Sequence, residues 1–109
     1  MDSKKYYMII DSLETKELKA ILYGENNLII HKGKTNSQVF KAYGESRIDV
    51  EELLNTTSKV TSYGGSTFNL NSTEEIKVWA FGDVNINYAG NAQIHKLITI
   101  GDVKLTKTE

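Results

Sequence analysis

The chain has 109 residues, with 13 Lys and Arg against 14 Asp and Glu and a formal net charge of −1. That length sustains one hydrophobic core and so one domain, and that charge supplies no bulk attraction toward nucleic acid or an anionic membrane surface. Cysteine and proline are both absent, which excludes disulfides and thiolate metal sites and suits a backbone whose donors are committed to sheet ladders.

The first segment, MDSKKYYMIID, carries only Met8, Ile9 and Ile10 as an apolar run. This is too short for a secretory h-region, so the expectation is either a cytoplasmic protein or a mature or trimmed chain. No run approaches the length of a bilayer span. After the start the chain becomes near-copies of one octamer: YGENNLII, YGESRIDV, YGGSTFNL, FGDVNINY and IGDVKLTK. Their glycines, Gly24, Gly44, Gly64, Gly82 and Gly101, stand 20, 20, 18 and 19 residues apart. Self-similarity at a fixed period near 20 is the mark of a solenoid in which one unit stacks on the next.

Each unit is too short for a βαβ crossover, which needs about 30 residues. Stretches such as FNLNSTEEIKVWAFGDVNINY alternate with period 2 and are rich in Val, Ile, Phe, Tyr, Asn and Thr. Antiparallel hairpins would not return the same residue type to the same place every coil. A parallel β-helix does, because each coil lies on the previous one at about 4.8 Å. The predicted fold is therefore all-β: a single-stranded parallel β-helix, one domain over residues 1–109, with about five coils of about 20 residues.

Even steps from each glycine define the expected core. Four before it stand Ala20, Phe40, Val60, Val78 and Leu97, and two before it Leu22, Ala42, Ser62, Ala80 and Thr99. Four after it come Leu28, Ile48, Phe68, Ile86 and Leu105, and six after it Ile30, Val50, Leu70 and Tyr88. The glycine is expected where the coil bends, either because no Cβ fits or because φ is positive. Leu13, Gly33 and Leu53 precede their glycines by 11 residues and are expected to line another wall. The segments HKGKTNSQ and LNSTEE are expected to be turn-bearing linkers.

Odd positions then face solvent in ladders. One after the glycine are Glu25, Glu45, Gly65, Asp83 and Asp102; five before it are Lys19, Val39, Lys59, Lys77 and Lys96. Like charges at that spacing repel by about 1 kcal/mol in water, which a wet face or a neighbouring opposite charge tolerates. One before the glycine is a ring column, Tyr23, Tyr43, Tyr63 and Phe81.

The last third, VWAFGDVNINYAGNAQIHKLITIGDVKLTK, resembles the putative auto-transporter adhesin head GIN domain family. The resemblance is carried by Gly82-Asp83, the strand Ile86 to Tyr88, the turn Tyr88-Ala89-Gly90-Asn91 and Gly101-Asp102, and it extends more loosely back to about Leu18. It implies a β-helical fold and an extracytoplasmic location, in the cell envelope or secreted. Against that family the chain is expected to be a minimal version or the C-terminal part of a longer domain. The resemblance brings no functional residues with it.

Chemistry is sparse. His31 and His95, the two histidines, lie at different phases of the repeat and are expected on different walls, as surface groups rather than catalysts or ligands. Asp83 and Asp102 occupy equivalent positions on adjacent coils and are weak candidates for a Ca²⁺ pair, with turn capping the favoured role. No phosphate loop, nucleophile elbow or zinc-helix motif occurs. The ring column has binding potential: Tyr23, Tyr43 and Tyr63, bordered by Glu25 and Glu45 and extended by Trp79, would offer flat faces beside hydrogen-bond acceptors to a sugar. Stacked rings also stabilise parallel coils with no ligand at all.

The sequence therefore points to a non-enzymatic cell-envelope module, structural or adhesive, without cofactor or resident metal. Its expected partner is a cell-surface or extracellular polysaccharide or protein, not nucleic acid, and self-association through the terminal coils is open to it. One alternative is a glycan-binding module built on the tyrosine ladder. Another is a cytoskeletal, bactofilin-like β-helix that polymerises end to end, for which KYYMII would be an unprotected edge and KLTKTE a charged one. A polysaccharide lyase or hydrolase would need clustered carboxylates and basic residues that the chain does not display.

Overall fold

The structure is a computed structural model describing residues 5–108. Twelve strands run in order: β1 Lys5–Ile10, β2 Leu13–Glu14, β3 Glu17–Tyr23, β4 Glu25–Ile30, β5 Gly33–Tyr43, β6 Ser46–Asp49, β7 Leu53–Tyr63, β8 Ser66–Asn71, β9 Glu75–Phe81, β10 Val84–Ala89, β11 Gln93–Ile100 and β12 Val103–Lys107. They form two six-stranded parallel sheets. The first is ordered β1-β4-β6-β8-β10-β12, and the second β11-β9-β7-β5, with β2 and β3 both pairing β5. The chain visits the two sheets alternately and rises one coil per circuit, which is the expected parallel β-solenoid of about five turns.

Strict register places the inward columns as the alternation requires. Met8, Leu28, Ile48, Phe68, Ile86 and Leu105 are successive partners in the first sheet. Ala20, Phe40, Val60 and Val78 are partners in the second. Phe40, Ile48, Val60, Phe68, Val78 and Ile86 are fully buried, and the Phe40 and Phe68 rings meet across the core at 6.5 Å. Ala20, Leu22 and Leu105, on outer coils, are only partly buried because each is packed by a neighbouring coil on one side.

The last coil departs from expectation. Val78 pairs Lys96 and Trp79 pairs Ile98, so Leu97 is the extra residue of a bulge. Leu97 is 51% exposed instead of lining the core. The same slip takes Lys96 out of the lysine column, where His95 pairs Lys77 instead. Thr99 keeps its predicted partner, Ala80, but is exposed.

Of the two segments expected to be linkers, HKGKTNSQ is strand from Gly33 onward, whereas LNSTEE does supply the connection, with Ser72, Thr73 and Glu74 between β8 and β9. β5 and β7 are 11 residues long and bend where Asn36 and Thr56 drop out of the ladder. Their first residues, with β2, make a third wall on which Leu13, Gly33 and Leu53 are aligned partners, as expected. Behind that wall lies a buried polar network. Thr35 donates to Asn55 (3.0 Å), Asn55 donates to Ser58 (2.9 Å) and Ser72 (2.8 Å), and Gln38 donates to Ser58 (2.7 Å). The spacing of 18 between Gly64 and Gly82 also arises here. Asp49 pairs Asn69 and Thr57 pairs Glu75, so the connection across this wall is two residues shorter in that coil.

At the opposite corner the repeated glycines stack. The N–H groups of the first four donate to the carbonyl of the residue that precedes the next coil's glycine, Gly24 to Tyr43 (2.8 Å), Gly44 to Tyr63 (2.8 Å), Gly64 to Phe81 (2.9 Å) and Gly82 to Ile100 (2.7 Å). Both causes expected for these glycines operate. Gly64 has φ of +116°, and a Cβ there would lie 2.7 Å from the Gly44 carbonyl oxygen. Gly24, with φ of +87°, has nothing within 4 Å of the same position. Gly24→Ala should therefore cost about 1–2 kcal/mol from the left-handed backbone alone, and Gly64→Ala about 1–3 kcal/mol more for the displaced coil. Urea unfolding of the two variants measures the difference; equal losses would contradict close stacking at this corner.

Candidate functional site

The outer face of the second sheet is a grid whose rows are coils and whose columns are paired residues. One column is Lys19, Val39, Lys59, Lys77 and His95; the next is Ile21, Lys41, Thr61, Trp79 and Ile98; the third is Tyr23, Tyr43, Tyr63, Phe81 and Ile100. Parallel in-register pairing sets these neighbours, since each outward side chain has the next coil's equivalent about 4.8 Å away.

In the third column the rings form a continuous stack. Tyr23–Tyr43, Tyr43–Tyr63 and Tyr63–Phe81 have centroids 4.9, 4.9 and 4.8 Å apart and planes within 9°, 4° and 6° of parallel. Such nearly parallel rings are turned face to face, so the faces of the inner members are spent on one another. Towards solvent the ladder presents ring edges and hydroxyls. The column is therefore a different surface from the row of flat platforms that the sequence invited.

Beside it runs a groove of about 640 Å³, whose lining includes Tyr43, Tyr63, Trp79, Lys19, Lys41 and Lys59. Trp79 enters because it lies one column in from the rings, between Thr61 and Ile98. Glu25 and Glu45 do not line it. They follow the corner glycines, face away around the bend, and flank a separate depression of about 210 Å³ with Arg47. Tyr23, 70% exposed, continues the stack at its first-coil end without lining the groove. The predicted set is thus divided: Tyr43, Tyr63 and Trp79 come together, and Glu25 and Glu45 go elsewhere.

Sequence reasoning treated Lys19 and Lys59 as a solvated ladder and missed Lys41. The signal was available, because Lys41 stands three residues before Gly44 as Trp79 stands three before Gly82. Further along the face, Lys77 contacts Glu75 at 3.5 Å, and His95 contacts the other oxygen of Glu75 at 3.5 Å. His31 lies at a corner after β4 and contacts Asp11 at 3.4 Å. The two histidines therefore occupy different walls. The Asp83 carboxylate accepts the backbone N–H of Asp102 at 3.1 Å, which links adjacent turns. The outer face of the first sheet carries an amide ladder instead, in which Asn87 donates to Asn69 (2.9 Å) and Asn69 donates to Asp49.

Since Tyr43 is stacked on both sides, Tyr43→Ala should lower stability by about 1–3 kcal/mol, two ring pairs at about 0.5–1.5 kcal/mol each, while Tyr43→Phe preserves it. Equilibrium denaturation reads both. An unchanged midpoint in Tyr43→Ala would show that the stack contributes nothing to the fold.

The family model described as putative auto-transporter adhesin, head GIN domain, matches residues 3–92. The matched span takes in the first four glycine corners and the Tyr88 to Asn91 turn. It stops before β11 and β12, so the Gly101-Asp102 turn lies outside it. No curated protein matches the chain, and no solved structure does.

Proposed function

The chain belongs to the head GIN domain family, and on that premise we propose that it is a non-enzymatic module of the cell envelope with an adhesion-type role. The solenoid is the scaffold and the outer face of the second sheet is the contact surface. The observation that carries this reading is the groove of about 640 Å³ in which rings and lysines are held by paired parallel strands. Recognition by side chains fixed on strands needs little ordering on binding, which favours a surface that meets its partner preformed. The family name implies an extracytoplasmic location.

The distribution of titratable groups supports a binding role over catalysis. The contacts His31–Asp11 and His95–Glu75 are on different walls, and their side chains are between 35% and 92% exposed. Neither pair faces the other across an enclosed cleft, where general acid–base chemistry is ordinarily housed.

Antibody labelling of intact native cells, combined with an attachment assay on a strain lacking the gene, tests the proposal. Surface labelling, reduced attachment, and rescue by the natural gene but not by one carrying Trp79→Ala with Tyr63→Ala are the expected results. Confinement of the protein to the cytoplasmic fraction would overturn the reading.

A further inference from the structure

We propose that the groove beside the ring stack binds a linear, carboxylate-bearing polysaccharide, of the uronic acid class, laid along the solenoid axis. The inference rests on the adhesion reading and adds to it the chemistry of the ligand. Charge is the first argument. The whole chain is nearly neutral, yet Lys19, Lys41 and Lys59 line this one groove with Glu17 the only acidic lining residue. Among the described residues, none of these three lysines has a carboxylate within 4.0 Å, whereas Lys77, on the same face, is engaged by Glu75 at 3.5 Å.

Spacing is the second. Lys19 pairs Val39, which pairs Lys59, so these two cations stand two coils apart, about 10 Å along the axis. Lys41 lies on the coil between them, one column nearer the rings. A polymer running along the axis meets one ammonium on each of three consecutive coils, in a pattern suited to acidic groups recurring along a linear chain. Alongside are the edges of Tyr43 and Tyr63, the hydroxyl of Thr61 and the indole of Trp79. Sugar hydroxyls and C–H faces call for this mixture of polar edge and apolar ring.

Two other occupants fit less well. A peptide that adds a strand needs an unpaired sheet edge, and the backbone under the middle of the groove is paired on both sides, β5 with β3 and β7, and β7 with β5 and β9; free edges occur only at its two ends, on β3 and β11, and a strand added there would extend the sheet rather than fill the groove. A second copy meeting face to face would bring the same lysines against themselves, which complementary interfaces avoid.

Calorimetric titration at low salt with galacturonate oligomers, a neutral glucan oligomer and polyglutamate tests the inference on the intact chain. Galacturonate should bind, weaken as salt rises, and weaken at least about tenfold in Lys41→Ala with Lys59→Ala, a free-energy loss of about 1.4 kcal/mol. Lys104→Ala, on the first sheet, is the control that should not change it. Melting temperatures of all variants establish that each is folded. Silence towards galacturonate, indifference to the lysine substitutions, or equal binding of polyglutamate would each overturn the proposal. Binding of the neutral glucan alone, lost in Trp79→Ala, would also overturn it while leaving the adhesion reading standing; a cytoplasmic location would remove that reading whatever galacturonate does.

Discussion

The whole structure depends on backbone closeness at one corner. There, the N–H groups of Gly24, Gly44, Gly64 and Gly82 bond to a carbonyl on the next coil at 2.7–2.9 Å, and each following glycine comes so near that a methyl group on it would strike a carbonyl oxygen at 2.5–2.8 Å. This contact fixes the phase of every coil against its neighbour. A single residue of slip would exchange the buried and exposed faces of a strand. With the phase fixed, apolar columns align inside, and the residue before each glycine is delivered to the same outward position. The ring stack is a consequence of that alignment and in turn reinforces it. Ser46 and Ser66 support the same corner, their hydroxyls donating to the carbonyls of Gly24 and Gly44 at 3.4 and 3.3 Å.

The fold was legible because the glycine period and the two-residue alternation are both strong and agree. Ile48, Phe68 and Ile86 could be placed in one column by counting. Counting failed where the chain locally changes its count. The bulge at Leu97 cannot be seen by stepping back from Gly101, since one inserted residue reverses the parity of everything before it. The buried polar network behind the third wall went unread for a different reason. Thr35, Gln38, Asn55, Ser58 and Ser72 have the composition of a turn, and only the folded chain shows that they satisfy one another inside. Among the described residues, Gln38 Oε1 has no protein partner in that interior, and Ser62 Oγ has none in its own column of the second sheet, between Ala42 and Ala80.

The candidate site was half legible. Sequence alone put Tyr43, Tyr63 and Trp79 on an outward surface, and the structure gathers them at one groove. It could not give the ring orientation, because parallel stacking consumes the faces that a sugar would have used. Nor could it separate Glu25 and Glu45 from the tyrosines two residues earlier. The corner glycine between them turns the chain from one sheet to the other, so neighbours in sequence look out from different walls. Lys41 went unnoticed because its column mixes four residue types over five positions, and a ladder is recognised most readily when its members are alike. What this leaves is a groove lined by ammonium groups and an indole, with the tyrosine stack as its border. A solenoid suits recognition of this kind. Its outer surface repeats at the backbone spacing, so ligand-facing groups are positioned by the same bonds that hold the fold.

In-register parallel stacking is the central claim, and engineered cysteine pairs test it directly in a chain that has no cysteine of its own. Arg47 and Thr67 are partners on adjacent coils of the first sheet, with side chains directed outward. Paired strands lie about 4.8 Å apart, within the Cα separation of about 4.4–6.8 Å that a disulfide accepts. Arg47→Cys with Thr67→Cys should therefore oxidise to an intramolecular disulfide in the folded protein. Arg47→Cys with Asn69→Cys, displaced two residues along the strand, should stay reduced because its Cα separation exceeds about 7 Å. Efficient bridging of the displaced pair, with the registered pair left reduced, would contradict the coil register on which the fold and the groove both depend.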